Sequence, residues 1–277
     1  MPGRALVLGG GGITGIAWEI GLLGGLAAED VDLTSADLVV GTSAGSVVGA
    51  QITSGTPLEE LYAAQLAGYG IEVASHMGRG LLLGYAVNLV RGRDPVRFRQ
   101  RIGRMALRAK TMPATERLAV IASRLPSPDW PARALQVTAV DADTGEFQVF
   151  DRDSGVPLID AVAASCAVPG VYPPIGIGSR HYVDGGTRSA TNADLAVGCE
   201  RVVILAPIKA GFGPLIGVDA FVAQLRGGSR VVSVSPDAAA SAAIGRNALD
   251  PARRAPSAEA GRSQAGAVVE AVRAVWA

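Results

Sequence analysis

The sequence predicts an α/β fold in which a largely parallel sheet lies between layers of helices. Three observations carry this. Ala5-Leu-Val-Leu8 and Leu38-Val-Val40 are short runs, apolar at every position, as suits strands buried on both faces. Each leads through a glycine-bearing turn into a helical pattern, Ile16 to Ala28 after the first run and Ala44 to Ser54 after the second. Strand alternating with helix is the pattern of parallel strands joined by crossovers. The third is bulk: 277 residues, 49% of them hydrophobic, can build a core for a single domain spanning 1–277.

Beyond the second helix, Pro57 to Gly68 read as helical because Leu58, Leu61, Tyr62 and Leu66 share a face. From Gly70 to Leu125 strand signals fade, and Pro126, Pro128 and Pro131 close the stretch. An inserted helical cap over roughly 57–130 is therefore expected above the sheet. Strands resume at Leu135 to Val140, and Gly145 before Phe147–Phe150 predicts a hairpin. Leu158 to Ala167 read as a helix, followed by a proline-rich loop and a strand at His181-Tyr-Val183. Arg201 to Ala206 and Arg230 to Val234 are further strands, with Ile216 to Leu225 helical between them. Pro251 to Gly266, rich in Pro, Ser, Ala and Arg, is expected to be partly mobile.

The 25 basic and 25 acidic side chains cancel, so the chain as a whole does not attract nucleic acid, and its few aromatics offer no base-stacking platform. Cys166 and Cys199 cannot make a disulfide framework. With His76 and His181 they lack the spacing of a metal site, so neither metal nor cofactor is expected. Met1 to Leu8 lack the pattern of a signal peptide, and no run of about 18 apolar residues predicts a membrane span. The expected location is the cytoplasm, with peripheral contact to a membrane.

The sharpest motif is Gly41-Thr42-Ser43-Ala44-Gly45, placed between a strand and a helix. Glycines flanking the serine permit the tight turn that exposes a nucleophilic hydroxyl, and the helix N-terminus behind it favours developing negative charge. The second motif is Gly9-Gly-Gly-Gly-Ile-Thr-Gly15. A dinucleotide site would want an acid after the next strand, which ends Val39-Val40-Gly41, and a P-loop needs Gly-Lys-Ser/Thr, which is absent. An oxyanion hole built from backbone N–H groups fits best. For the base, order alone permits a triad of Ser43, His181 and Asp141 or Asp160. Alternation along His181-Tyr-Val-Asp184, however, sends His181 and Asp184 to opposite sides.

Together these residues resemble the patatin-like phospholipases. The glycine loop Gly10–Gly15, the elbow Gly41–Gly45 and the motif Asp184-Gly185-Gly186 occur in that family's order. A fourth block, Ala164-Ser-Cys-Ala-Val-Pro-Gly170 followed by Pro173-Pro174, is also similar, and the likeness spans roughly 4–207. It implies a three-layer α/β/α patatin-like fold and a Ser–Asp dyad that hydrolyses lipid acyl esters. Ser43 would be the nucleophile and Asp184 its base. Amides of Gly10, Gly11 and Gly12, around Gly11 and Gly12 above all, would hold the oxyanion, with Gly15, Gly41, Gly45, Gly185 and Gly186 as supports. One departure stands out: the family often places Arg or Lys where this chain has Thr14, which favours "acyl-ester hydrolase" over "phospholipase".

Three rivals remain. An acyltransferase would use the same acyl-serine, although malonyl-type acyltransferases carry His where Thr42 stands. A nucleotide-binding protein would use the glycine loop, and a silent lipid-binding module would use neither chemistry. Finally, Arg97, Arg101, Arg104 and Arg108 share one helical face near the apolar run Leu81 to Val87. That pairing reads either as a contact for an anionic membrane surface or as an ordinary solvated face.

Overall fold

Apolar, β-branched runs leave their backbone groups to be satisfied by neighbouring strands, and here they pair into one eight-stranded sheet. The computed structural model describes residues 3–68, 84–85, 87–89, 92, 94–211 and 214–277. The strands are β1 (Arg4–Leu8), β2 (Leu38–Thr42), β3 (Ala134–Asp141), β4 (Phe147–Phe150), β5 (Ile175–Ile177), β6 (Arg180–Asp184), β7 (Arg201–Leu205) and β8 (Arg230–Val234). The order is β5-β6-β3-β2-β1-β7-β8, with β4 paired to β3 off this path. From β3 to β8 neighbouring strands are parallel; β4, β5 and β6 pair antiparallel.

The described helices are α1 (Gly12–Ala28), α2 (Ala44–Thr53), α3 (Leu58–Ala67), α4 (Pro95–Arg108), α5 (Ala114–Ala122), α6 (Leu158–Ser165), α7 (Val218–Leu225), α8 (Ala238–Ile244) and α9 (Arg254–Trp276). Because side chains alternate across a strand, β1 feeds two cores. Leu6 and Leu8 pack with α1, α2, α6 and α9, while Ala5 and Val7 pack with α7 on the other face. The sheet thus lies between two helical layers, the three-layer α/β/α arrangement.

Four local expectations change. Helix α1 begins at Gly12, inside the glycine loop, rather than at Ile16. Strand β5 forms inside the expected proline-rich loop, paired with β6. Ala238–Ile244 adds a helix whose first turn is capped by the Asp237 side chain accepting from the Ala240 N–H. The segment expected to be partly mobile instead enters the 23-residue α9. Its small residues let two helices pack backbone to backbone: a Cβ at Gly21 of α1 would lie 2.0 Å from the Ala258 carbonyl oxygen. Trp18 then donates from its indole to Gln264 at 2.9 Å, which satisfies a buried N–H. Composition concealed this helix because Ala, Ser and Gly are read as linker until a partner helix is known.

Candidate active site

The sheet's register decides which chain ends meet. Residues Val137 and Thr138 of β3 pair with both β2 and β4, and Ala139 and Val140 pair with both β4 and β6. Hence β2 and β6 share one edge of β3, approaching from opposite directions. Thr42 is partnered by Thr138 and Asp184 by Ala139, so the two strand ends meet head to head. Ser43 follows Thr42 directly.

Ser43 has φ 52° and ψ −116°, a conformation costing about 1–3 kcal/mol for a residue with a side chain. The turn is held tightly. A Cβ at Gly45 would lie 2.1 Å from the Leu8 carbonyl oxygen, so α2 can begin against β1 only if that residue is glycine. The Gly45 N–H also donates to the Gly9 oxygen at 3.0 Å, tying the elbow to the glycine loop.

Three consecutive residues at the end of α6 hold both chain ends. Ser165 Oγ accepts from the Ser43 N–H at 2.9 Å, and Cys166 Sγ donates to the Ser43 carbonyl at 3.2 Å. The Ala167 carbonyl accepts from the Asp184 N–H at 3.0 Å. The fourth sequence block thus clamps Ser43 and Asp184 in one frame. Cys166 is buried, and burial pushes its thiol up, so it acts as a packed donor. Asn192, in left-handed conformation and fully buried, donates to Ser189 O at 2.9 Å and Thr42 Oγ1 at 3.1 Å. Nothing in the sequence singled it out; its signal was a lone amide between two structured segments.

Ser43 and the Asp184 carboxylate line the same cavity, and Gly186 N–H donates to Asp184 Oδ1 at 2.7 Å. Burial raises the Asp184 pKa to about 6, against the lowering effects of Ser43, Gly186 and the more distant Arg117. His181 is exposed, on the face opposite Asp184. Asp141, one of the triad candidates, accepts from the Asp143 and Thr144 amides and pairs with Arg180 at 3.3 Å. Asp160 is partly exposed on α6. His76 lies outside the described residues.

One of the three expected oxyanion donors is corrected. Gly10 N–H already donates to the Ala190 carbonyl at 2.7 Å, so Gly10 anchors the loop. Gly11 is the residue before α1 and Gly12 its first, where N–H groups have no partner within the helix. Gly12 has φ 62°, and a Cβ there would come 2.6 Å from the Ala248 oxygen. Gly15 donates back to Gly11 O at 2.8 Å, and Thr14 N–H binds Ala248 O at 3.1 Å.

A cavity of about 350 Å³ opens beside Gly11, Ser43 and Asp184. Among the described residues its wall is mostly apolar, with Tyr85, Phe98, Val168, Ile208, Leu215 and Leu249. That volume suits a drug-sized apolar group such as an acyl chain. Among the described residues no cluster of His, Cys, Asp and Glu could hold a metal, and no helix is long and apolar enough to cross a membrane.

Ser43 thus sits in a strained turn at a parallel strand end, between a glycine loop and a buried carboxylate, in an α/β protein. The patatin-like phospholipase model matches residues 6–197, and the chain belongs to that family of lipid hydrolases. Among solved structures it is similar to VipD from Legionella pneumophila, at 11% identity and TM-score 0.47 over 97% of this chain and 67% of that one. It is also similar to the type III effector protein ExoU, at 16% identity and TM-score 0.42, over 98% of this chain and 53% of that one. A comparison with curated proteins finds no match.

Proposed function

We propose that this protein hydrolyses carboxylic esters of lipids through a Ser43–Asp184 dyad, within a single domain whose residues 57–130 cap the site. The observation that carries this is the strained Ser43 and the buried Asp184 carboxylate lining the same apolar cavity. Tyr85 and Phe98, both from the cap, line that cavity.

In the proposed reaction Asp184 accepts the Ser43 proton as Oγ bonds to the ester carbonyl carbon. The carbonyl oxygen takes the negative charge and is met by the Gly11 and Gly12 amides, a contribution of about 10²–10³ in rate per donor. Collapse breaks the bond to the alcohol, which leaves with the proton held on Asp184. Water then gives a proton to Asp184 and attacks the acyl-serine, and Asp184 returns that proton to Oγ as the acid leaves, restoring Ser43. An acyltransferase would use the same first half and differ in the acceptor that attacks the acyl-serine.

This reading predicts a pH profile. Asp184 must be ionised to accept a proton, so kcat/KM for a soluble short-chain ester should fall as pH drops through about 6. An inflection near 4, or a bell centred on a histidine that moves when His181 is replaced, would count against Asp184 as base. Failure to turn over any soluble or lipid ester would end the hydrolase reading.

We also propose peripheral contact with anionic membrane through α4. Arg97, Arg104 and Arg108 are exposed, whereas Arg101 is half-buried and donates to the Asn88 carbonyl at 3.2 Å. Most of the run Leu81 to Val87 lies outside the described residues. Arg104→Glu with Arg108→Glu should weaken binding to anionic vesicles more than to zwitterionic ones, with the difference shrinking in high salt. Unchanged vesicle binding would leave α4 a solvated face.

A further inference from the structure

Behind Ser43 and Asp184 lies a group of polar side chains that the proposed reaction does not use. Thr42, Thr138 and Asn192 are fully buried at the junction where β2 and β6 meet along β3. Thr42 immediately precedes the nucleophile and is partnered by Thr138 across the β2–β3 pairing. Their hydroxyl oxygens are 2.9 Å apart, a full hydrogen bond. Valine would fill the same space in a strand with no polar atom to satisfy, so two buried hydroxyls here call for a use.

The orientation of the network follows from chemistry. Arg188 has only donors, so the Asn192 atom it meets at 2.8 Å is the amide oxygen. Arg188 is itself fixed by two hydrogen bonds to Asp194, at 3.0 and 2.6 Å, with its guanidinium 4.2 Å from the centre of the Phe147 ring. The Asn192 NH2 is thereby turned inward, where it donates to Thr42 Oγ1 at 3.1 Å and Ser189 O at 2.9 Å. Of the two threonine protons, one makes the bond between the hydroxyls. The other is left for a backbone carbonyl, that of Gly41 at 3.4 Å from Thr138 or that of Thr191 at 3.5 Å from Thr42. The same group supports the base. A Cβ at Gly185, the residue after Asp184, would lie 2.3 Å from Thr138 Oγ1, so that turn rests directly on the hydroxyl. Asn192 Nδ2 also comes within 3.3 Å of the Gly185 carbonyl.

We propose that Thr42, Thr138 and Asn192 are positioning residues that set the separation between the Ser43 hydroxyl and the Asp184 carboxylate for proton transfer. The proposal rests on the dyad reading above. Strands β2 and β6 each pair with β3 and not with one another, so the gap between their ends is set by what bridges them. The bridge touches the residue before Ser43 and the residue after Asp184. Proton transfer needs heavy atoms within about 3 Å, and a misplacement of about 1 Å costs about 10²-fold in rate.

The test uses Thr42→Val and Thr138→Val, which keep the branched shape and remove only the hydroxyl, beside Thr42→Ser and Thr138→Ser, which keep the hydroxyl. The substrate is a soluble short-chain ester, and pH 8 keeps Asp184 ionised. Each Val variant should lose about 10- to 100-fold in kcat with KM within about twofold of the parent, and each Ser variant should recover most of that loss. The double Val variant should lose little more than the worse single one, because both changes remove the same bond. Asn192→Asp keeps the acceptor for Arg188 and a side chain that tolerates the left-handed backbone, but loses the inward donor, so its kcat should fall in the same way. Melting curves establish which variants fold, and a Val variant that does not is replaced by Ala in the comparison with Ser. Folded variants with unchanged kcat would make the group structural only, overturning the proposal and leaving the dyad in place. A loss confined to KM, or a Ser variant as slow as its Val counterpart, would overturn it too. If the parent turns over no soluble or lipid ester, the hydrolase reading falls and the positioning role with it.

Discussion

Ser43→Ala should lose at least about 10⁴-fold in kcat/KM on a soluble ester while its fold is kept, because removal of a nucleophile ends covalent catalysis outright. The parent should be labelled by a fluorophosphonate on Ser43 and the variant should not. Little besides chemistry should change. The backbone bonds that hold the elbow run from the Ser43 N–H to Ser165 and from Cys166 to the Ser43 carbonyl, and Ala keeps both. Residual rate in the variant would come from the glycine loop and from binding alone. Mass mapping of the adduct to Ser165 would sink the assignment. That is a demanding control, since the Ser165 hydroxyl contacts the elbow directly.

Asp184→Asn should lose about 10²–10⁴ in kcat, the range for a general base, and should also make the protein more stable. The two effects share one cause. Burial holds the folded-state pKa at about 6 while the ordinary value is 3.8, so the native state keeps its proton to higher pH than the unfolded chain does. Native stability is therefore full below about pH 4 and declines as pH rises through 6. Two pKa units amount to about 3 kcal/mol lost at pH 8. Asn imitates the protonated form and removes that cost, while its side-chain oxygen can still accept from Gly186. The melting temperature of Asp184→Asn should exceed that of the parent by several degrees at pH 8, and the gap should close below pH 4. A variant that is inactive but less stable at pH 8 would mean that the carboxylate is chiefly structural. Full activity in Asp184→Asn, with a loss in His181→Ala, would overturn the dyad.

The parts of this protein written in local sequence are those governed by short-range rules. Buried strands and the helices after them follow from apolar runs, glycine turns and periodicity, and β8 lies where the pattern places it, at Arg230–Val234. Gly41 and Gly45 around Ser43 report a tight elbow, because a Cβ at Gly45 would strike β1 and one at Gly41 would strike the start of α2. Alternation along β6 separated His181 from Asp184 without any structure. What depends on partners distant in the chain was not legible. The register of β3, with β2 and β6 abutting along one edge, brings Thr42 and Asp184 together across about 140 residues, and no local pattern encodes that pairing. The same holds for the Ser165–Ala167 clamp, for Gly10 being tied to Ala190, and for the small-residue face of α9 against α1. Nothing in the sequence marked Arg117 and Arg124 for burial. Only packing against Tyr172 and the elbow buries them, because burial belongs to the neighbours a side chain meets and a sequence window does not contain those neighbours.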